Sequence, residues 1–78
     1  MDVYDKDHLP VPIEDMPHYR KIGTTPMWFH HGPFRVYTQE GDYTLPEGWR
    51  GYIAVDRAGH PYPIAEDEHA TTYEKVPF

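Results

Sequence analysis

The stretch from Trp49 to Val76, WRGYIAVDRAGHPYPIAEDEHATTYEKV, decides the fold class. Ile53 and Val55 alternate with Tyr52, Ala54 and Asp56, the period of two of a strand with one buried face, so residues 51–56 are predicted as a strand. Asp56-Arg57-Ala58-Gly59 then carries turn chemistry. The aspartate can bond nearby backbone, and Gly59 can enter the left-handed region that closes a hairpin. The chain is expected to return along residues 60–64. Pro61 and Pro63 have no amide donor, which places this returning strand at a sheet edge. Residues 65–70 combine helix formers with Glu66, Asp67 and Glu68, carboxylates that suit a helix start, and predict one or two helical turns there. Thr71, Thr72, Tyr73 and Val76 are strand-type residues again, with Tyr73 packed and Glu74 and Lys75 nearer solvent.

Working outward, Met27–His31 is bulky and compatible with a strand, Gly32-Pro33 signals a turn, and Phe34–Thr38 alternates cleanly. The pattern predicts a second hairpin with Phe34 and Val36 facing the core and Arg35 and Tyr37 facing away. Glu40-Gly41-Asp42 reads as a turn and Tyr43–Leu45 as a short strand. Pro46–Gly48 reads as a loop delivering Trp49. Before Met27, Pro10, Pro12, Pro17 and Pro26 exclude a helix of useful length. Residues 1–18 are therefore expected as an acidic, proline-rich extended segment, with docked and loose arrangements both compatible with the alternation of Leu9, Val11 and Ile13. Tyr19–Ile22 is expected to begin the ordered part and Gly23–Pro26 to form a loop. Residues 19–78 then make a single small β domain. The architecture is mainly β: a small, strongly bent antiparallel sheet or a partly open SH3-like barrel with one short helical turn. Ile53, Val55, Tyr73, Phe34 and Val36 lie on strand faces expected to converge as the core.

Seventy-eight residues make one domain, and a chain this short leaves much of its surface uncovered. With no cysteine, disulfides and thiolate metal sites are excluded, so a partner protein or a second copy in a homodimer is the natural cover for leftover apolar surface. No apolar run approaches the ~20 residues of a membrane span, and a soluble, cytoplasmic protein is expected. The net charge of −6 is uneven. Residues 1–15 hold Asp2, Asp5, Asp7, Glu14 and Asp15 against Lys6, and residues 64–78 hold Glu66, Asp67, Glu68 and Glu74 against Lys75. Both ends would repel phosphates, so direct nucleic-acid binding is not expected.

The run Gly51–Asp56, then Gly59–Ile64, then Glu68–Val76 resembles a family of short uncharacterised phage and bacterial proteins named for a Pro-Gly-Asp-Tyr-Gly motif. Gly59, Tyr62, Pro63, Ile64, Thr72, Tyr73 and Glu74 follow the family's order, and Val36–Gly41 resembles the strand and turn before them. Pro46–Tyr52 stands at the place of the naming motif without reproducing it. The resemblance spans about residues 34–76. It implies a compact domain carried on mobile elements and brings no catalytic residues with it.

Six histidines invite a metal hypothesis. His30 and His31 are adjacent and would point to opposite faces of a strand, so they cannot chelate together. His60, Asp67 and His69 flank the edge strand and the helical turn, and they form the alternative reading of a small metal- or ligand-binding accessory domain. The chain has neither serine nor cysteine and no glycine-rich phosphate loop, which removes the common nucleophiles and points away from an enzyme. No cofactor is called for. The aromatic content, seven Tyr, two Trp and three Phe, exceeds what so small a core needs, and Tyr and Trp are enriched at interface centres.

Trp28, Tyr37, Tyr43, Trp49 and Tyr62, with the carboxylates Glu66, Asp67 and Glu68, are thus the candidate partner-binding residues. The function expected from the sequence is a non-enzymatic, acidic protein-binding module of phage or mobile-element type, taking a partner with a basic surface. Its sharpest form is an anti-defence inhibitor, anti-CRISPR-like, that blocks the nucleic-acid-binding surface of a host nuclease. Histidines on so acidic a surface are expected to charge readily as the pH falls from 7 to 5.5.

Overall fold

The hairpin of residues 50–65 forms as its alternation and turn residues predict. Strand β6 (Arg50–Val55) pairs antiparallel with β7 (Pro61–Ala65), Ile53 opposite Pro63 and Val55 opposite Pro61. Gly59 has φ 91° and donates its amide to the Asp56 carbonyl at 3.0 Å, which tightens the turn. The Asp56 carboxylate also accepts the His60 amide at 2.9 Å. β7 lies at a sheet edge, where its two prolines cost no ladder bond.

The computed structural model describes residues 1–20 and 24–75. The earlier strands are β1 (Asp2–Tyr4), β2 (His18–Arg20), β3 (Thr24–His31), β4 (Phe34–Thr38) and β5 (Gly41–Leu45). Helix α1 (Glu66–Thr72) and strand β8 (Glu74–Lys75) follow β7. Lys21–Gly23 and Val76–Phe78 lie outside the described residues, among them the strand position expected at Val76.

Among the described residues the architecture is mainly β, with one short α-helix and no closed barrel. It departs from a single bent antiparallel sheet in having two sheets, ordered β7-β6-β3-β2-β8 and β1-β4-β5. β1 runs parallel to β4, so the smaller sheet is mixed. The expected hairpin of β3 and β4 is not one: β3 pairs with β6 and β2, whereas β4 pairs with β1 and β5. Gly32, at φ 110°, turns the chain from one layer into the other and donates to the Trp49 carbonyl at 2.8 Å. A turn signal between two alternating runs is the same whether the runs pair or arch across a core, which is why the pattern misleads here.

The larger sheet is covered on both faces. Phe34, Val36 and Ile53 are fully buried between the sheets, with Tyr4, Leu45 and Trp49 packed around them. On the opposite face Met27, Ala54 and Ile64 are buried beneath Tyr19, Tyr52, Tyr62 and Tyr73. The one-sided burial expected for β6 fails at Ala54, which is fully buried because this second layer covers it. Tyr73 accordingly joins this second cluster, apart from Phe34, Val36 and Ile53.

Further boundaries differ from expectation, and the arrangement of the N-terminal segment, open from the sequence, is decided. Thr24–Pro26 belongs to β3, with Pro26 opposite His18, where a loop was expected. Thr71 and Thr72 complete α1, because Tyr73 donates its amide to the His69 carbonyl and extends the turn past these β-branched residues. The N-terminal segment is docked: β1 is a strand of the smaller sheet, Met16 is buried, and Pro17 accepts the Met27 amide at 2.9 Å.

Candidate binding groove

β4 and β5 form a hairpin whose two faces differ. Directly paired residues share a face. Val36 and Tyr43 therefore point to the inner side, and Tyr37 and Asp42 to the outer side. Val36 is fully buried under the larger sheet, whereas Tyr43 reaches past the covered area and stays 50% exposed. Thr38 sits beside it near the hairpin tip, where its hydroxyl donates to the Gly41 carbonyl at 2.7 Å and accepts the Glu40 amide at 3.1 Å.

This overhang leaves an open groove of about 530 Å³ against the edge strand β7. Its walls are Tyr43 and Thr38 from the hairpin, Tyr62 and Pro63 from β7, with Gln39, Glu40 and Asp56 at the rim. The ionisable carboxylates there are Glu40 and Asp56, and among the described residues no lysine or arginine lines it. The Tyr62 phenol has its pKa raised by burial first, then by Tyr73 and Asp56, and stays a neutral hydroxyl bonded to Tyr73.

Elsewhere the surface repeats one motif. Arg35 lies over the Tyr37 ring at 5.1 Å and donates to Asp42 at 2.6 Å. Arg50 lies over the Phe29 ring at 5.2 Å and donates to Glu66 at 3.3 Å. Both are an arginine face held on an aromatic ring with a carboxylate at its fork.

The aromatic and acidic residues singled out from sequence thus separate. Tyr43 and Tyr62 meet in the groove. Tyr37 is exposed on the outer face under Arg35. Trp49 is half-buried against Phe34, with ring centroids 5.2 Å apart, and half-buried Trp28 pairs across from Ile53. Glu66, Asp67 and Glu68 are exposed in the first turn of α1, away from the groove lining. Glu40, Asp56 and Pro63 were read as turn and edge residues, and no local signal marks them as sharing a wall with Tyr43.

The grouping of His60, Asp67 and His69 does not form. β7 stands between the two histidines, and its five residues span roughly 16 Å at ~3.3 Å each. Among the described residues no group of three or more His, Asp or Glu side chains is placed to hold a metal ion. His69 is buried instead. Its ring stacks on Tyr52 at 3.6 Å and near-parallel to Tyr73 at 5.6 Å, with the edge of Tyr19 at 4.4 Å. Burial lowers its pKa, so His69 is not one of the surface histidines expected to charge readily. The Tyr19 phenol in the same cluster is pushed up to about 12 by burial and by its bond to Tyr52.

His30 and His31 point apart as expected, His30 half-buried and His31 exposed. His30 Nε2 lies 3.1 Å from the Tyr4 hydroxyl and 3.6 Å from an Asp2 carboxylate oxygen, tying β3 to β1. Burial and the nearby Asp2 raise the Tyr4 pKa. Among the described residues no helix is long and apolar enough to cross a membrane. Comparison of the chain with protein-family models, curated proteins and solved structures found no match.

Proposed function

We propose that this protein is a non-enzymatic, acidic binding module that docks on a basic protein surface. The observation that carries the reading is the β4–β5 hairpin, which leaves Tyr37 and Tyr43 half-exposed on opposite faces, with Tyr43 on a groove whose charged lining groups among the described residues are Glu40 and Asp56. Large aromatic rings left accessible supply contact area at low entropic cost, and a surrounding negative field speeds encounter with a positive surface and fixes its orientation. The net charge of −6 and the exposed Glu66–Glu68 run add to that field. Carriage on a phage or mobile element, and a host nuclease as the target, are the sharpest form of the same proposal. Immobilised protein presented with bacterial lysate in about 50 mM salt should retain a basic protein that ~0.5 M salt releases, because the Debye length shrinks several-fold over that range. The recovered protein, purified, should rebind in a one-to-one titration and, if a nuclease, lose activity on binding. Retention of nothing at low salt, or retention indifferent to salt, would overturn the reading.

A further inference from the structure

The groove between β5 and β7 holds two tyrosine rings and two carboxylates, with no lysine or arginine among its described lining residues. Resting on the binding-module reading above, we infer that it takes an arginine side chain presented by an extended segment of the partner protein. The molecule's own surface supplies the pattern. Arg35 with Tyr37 and Asp42, and Arg50 with Phe29 and Glu66, are complete sets of arginine, ring and carboxylate. At the groove, Tyr43 and Tyr62 are the rings and Glu40 is the carboxylate for the fork; Asp56 already accepts the His60 amide and lies 3.9 Å from His60 Nδ1, so it adds negative charge alone, and among the described lining residues the arginine is the missing member.

Arginine fits better than lysine, because a planar guanidinium stacks on a ring and still directs its N–H groups into a carboxylate in the same plane. Side chains, and not strand addition, must hold the segment on the β7 wall. Pro61 and Pro63 alternate along that edge strand and offer no amide donor to an incoming backbone. The segment is therefore extended, lies across Pro63 and Tyr62, and inserts one arginine toward Glu40. About 530 Å³ is ample for one such side chain with its flanking residues, and small for a folded element.

The test is an NMR titration of ¹⁵N-labelled protein with three otherwise identical proline-flanked pentapeptides whose central residue is arginine, lysine or citrulline. A fourth titrant is agmatine, which presents the guanidinium without a peptide. The arginine peptide should shift the amides of Glu40, Tyr43 and Tyr62. Lysine should bind several-fold more weakly, and citrulline, which keeps the shape and loses the charge, should not bind. Glu40→Gln and Tyr43→Ala, both at exposed positions, should each weaken the arginine peptide at least fivefold while leaving the melting temperature unchanged. Equal binding of arginine and citrulline, shifts confined to α1, or no shift at millimolar peptide would overturn the assignment. Agmatine binding as tightly as the peptide would replace partner docking with a small-molecule site. A purified partner that binds wild type and both variants alike would sink the groove and leave the binding-module reading standing. A groove that binds the peptide in a protein that captures no partner would do the reverse.

Discussion

His69 carries the plainest consequence at the scale of single residues. Its ring is enclosed by Tyr19, Tyr52 and Tyr73, and its Nε2 is buried with no hydrogen-bond partner among the described residues. Burial holds its pKa below the ordinary value, so between the folded and unfolded pKa values the unfolded chain binds more protons. Stability from this group is present above about pH 6.5, the unfolded value, and is lost as the pH falls toward the folded one. The melting temperature should therefore drop between pH 7.5 and 5, and His69→Phe, which keeps a stacked ring and removes the proton site, should flatten that drop. An identical slope in the variant would assign the acid sensitivity elsewhere. Sequence alone marked His69 as a polar residue in a helical turn. Its burial follows from the aromatic rings that β2 and β6 bring to it, with Tyr73 at the cap of its own helix.

At the scale of elements, β6 depends on Gly51 for room and not for an unusual backbone angle. A Cβ at Gly51 would run into the Ile64 carbonyl oxygen of β7 and into the Trp49 ring, whose nearest atom lies at 2.6 Å. The backbone cannot give way without breaking the β6–β7 ladder. Gly51→Ala should cost about 1–3 kcal/mol or more, the range for overpacking, read from the midpoint of urea unfolding. An unchanged midpoint would mean that β7 yields freely there. The β6–β7 hairpin was legible from sequence because its alternation, turn and prolines all act within sixteen residues. The arch between β3 and β4 was not, because the partners of each strand come from distant parts of the chain.

For the whole molecule, the acidic N-terminus is part of the fold. β1 pairs with β4, and the Tyr4 ring lies 5.6 Å from Phe34 and 5.5 Å from His30. The radius of gyration of 11.7 Å matches the ~11.5 Å of a compact chain of this length, in keeping with a docked N-terminal segment. Deleting residues 1–8 should uncover Phe34 and remove a strand, at a cost of at least about 1.5–3 kcal/mol, the worth of one large buried side chain. Total stability of a small domain is only about 5 kcal/mol at the low end, so the truncated protein should melt well below the full chain. Equal melting of the two would show β1 to be a bystander. The same deletion removes Asp2, Asp5 and Asp7, so any loss of partner binding has to be compared with charge-neutral substitutions there before it is assigned to charge.

The sequence by itself determined the mainly β character, the β6–β7 hairpin with its edge strand, the short helix, and the inward Phe34 and Val36. Each is set by local periodicity, turn residues or proline, which act over a few positions. Only the tertiary structure decided that there are two sheets, that the N-terminus closes the smaller one in parallel, and that both faces of the larger sheet are covered. It likewise decided which aromatics are core and which line the groove. Tyr52 and Tyr43 are the same residue type on similar strands, yet one packs under α1 and the other overhangs a sheet edge. Burial depends on what a neighbouring element covers, and strand periodicity fixes the face a side chain points to without fixing what stands opposite it.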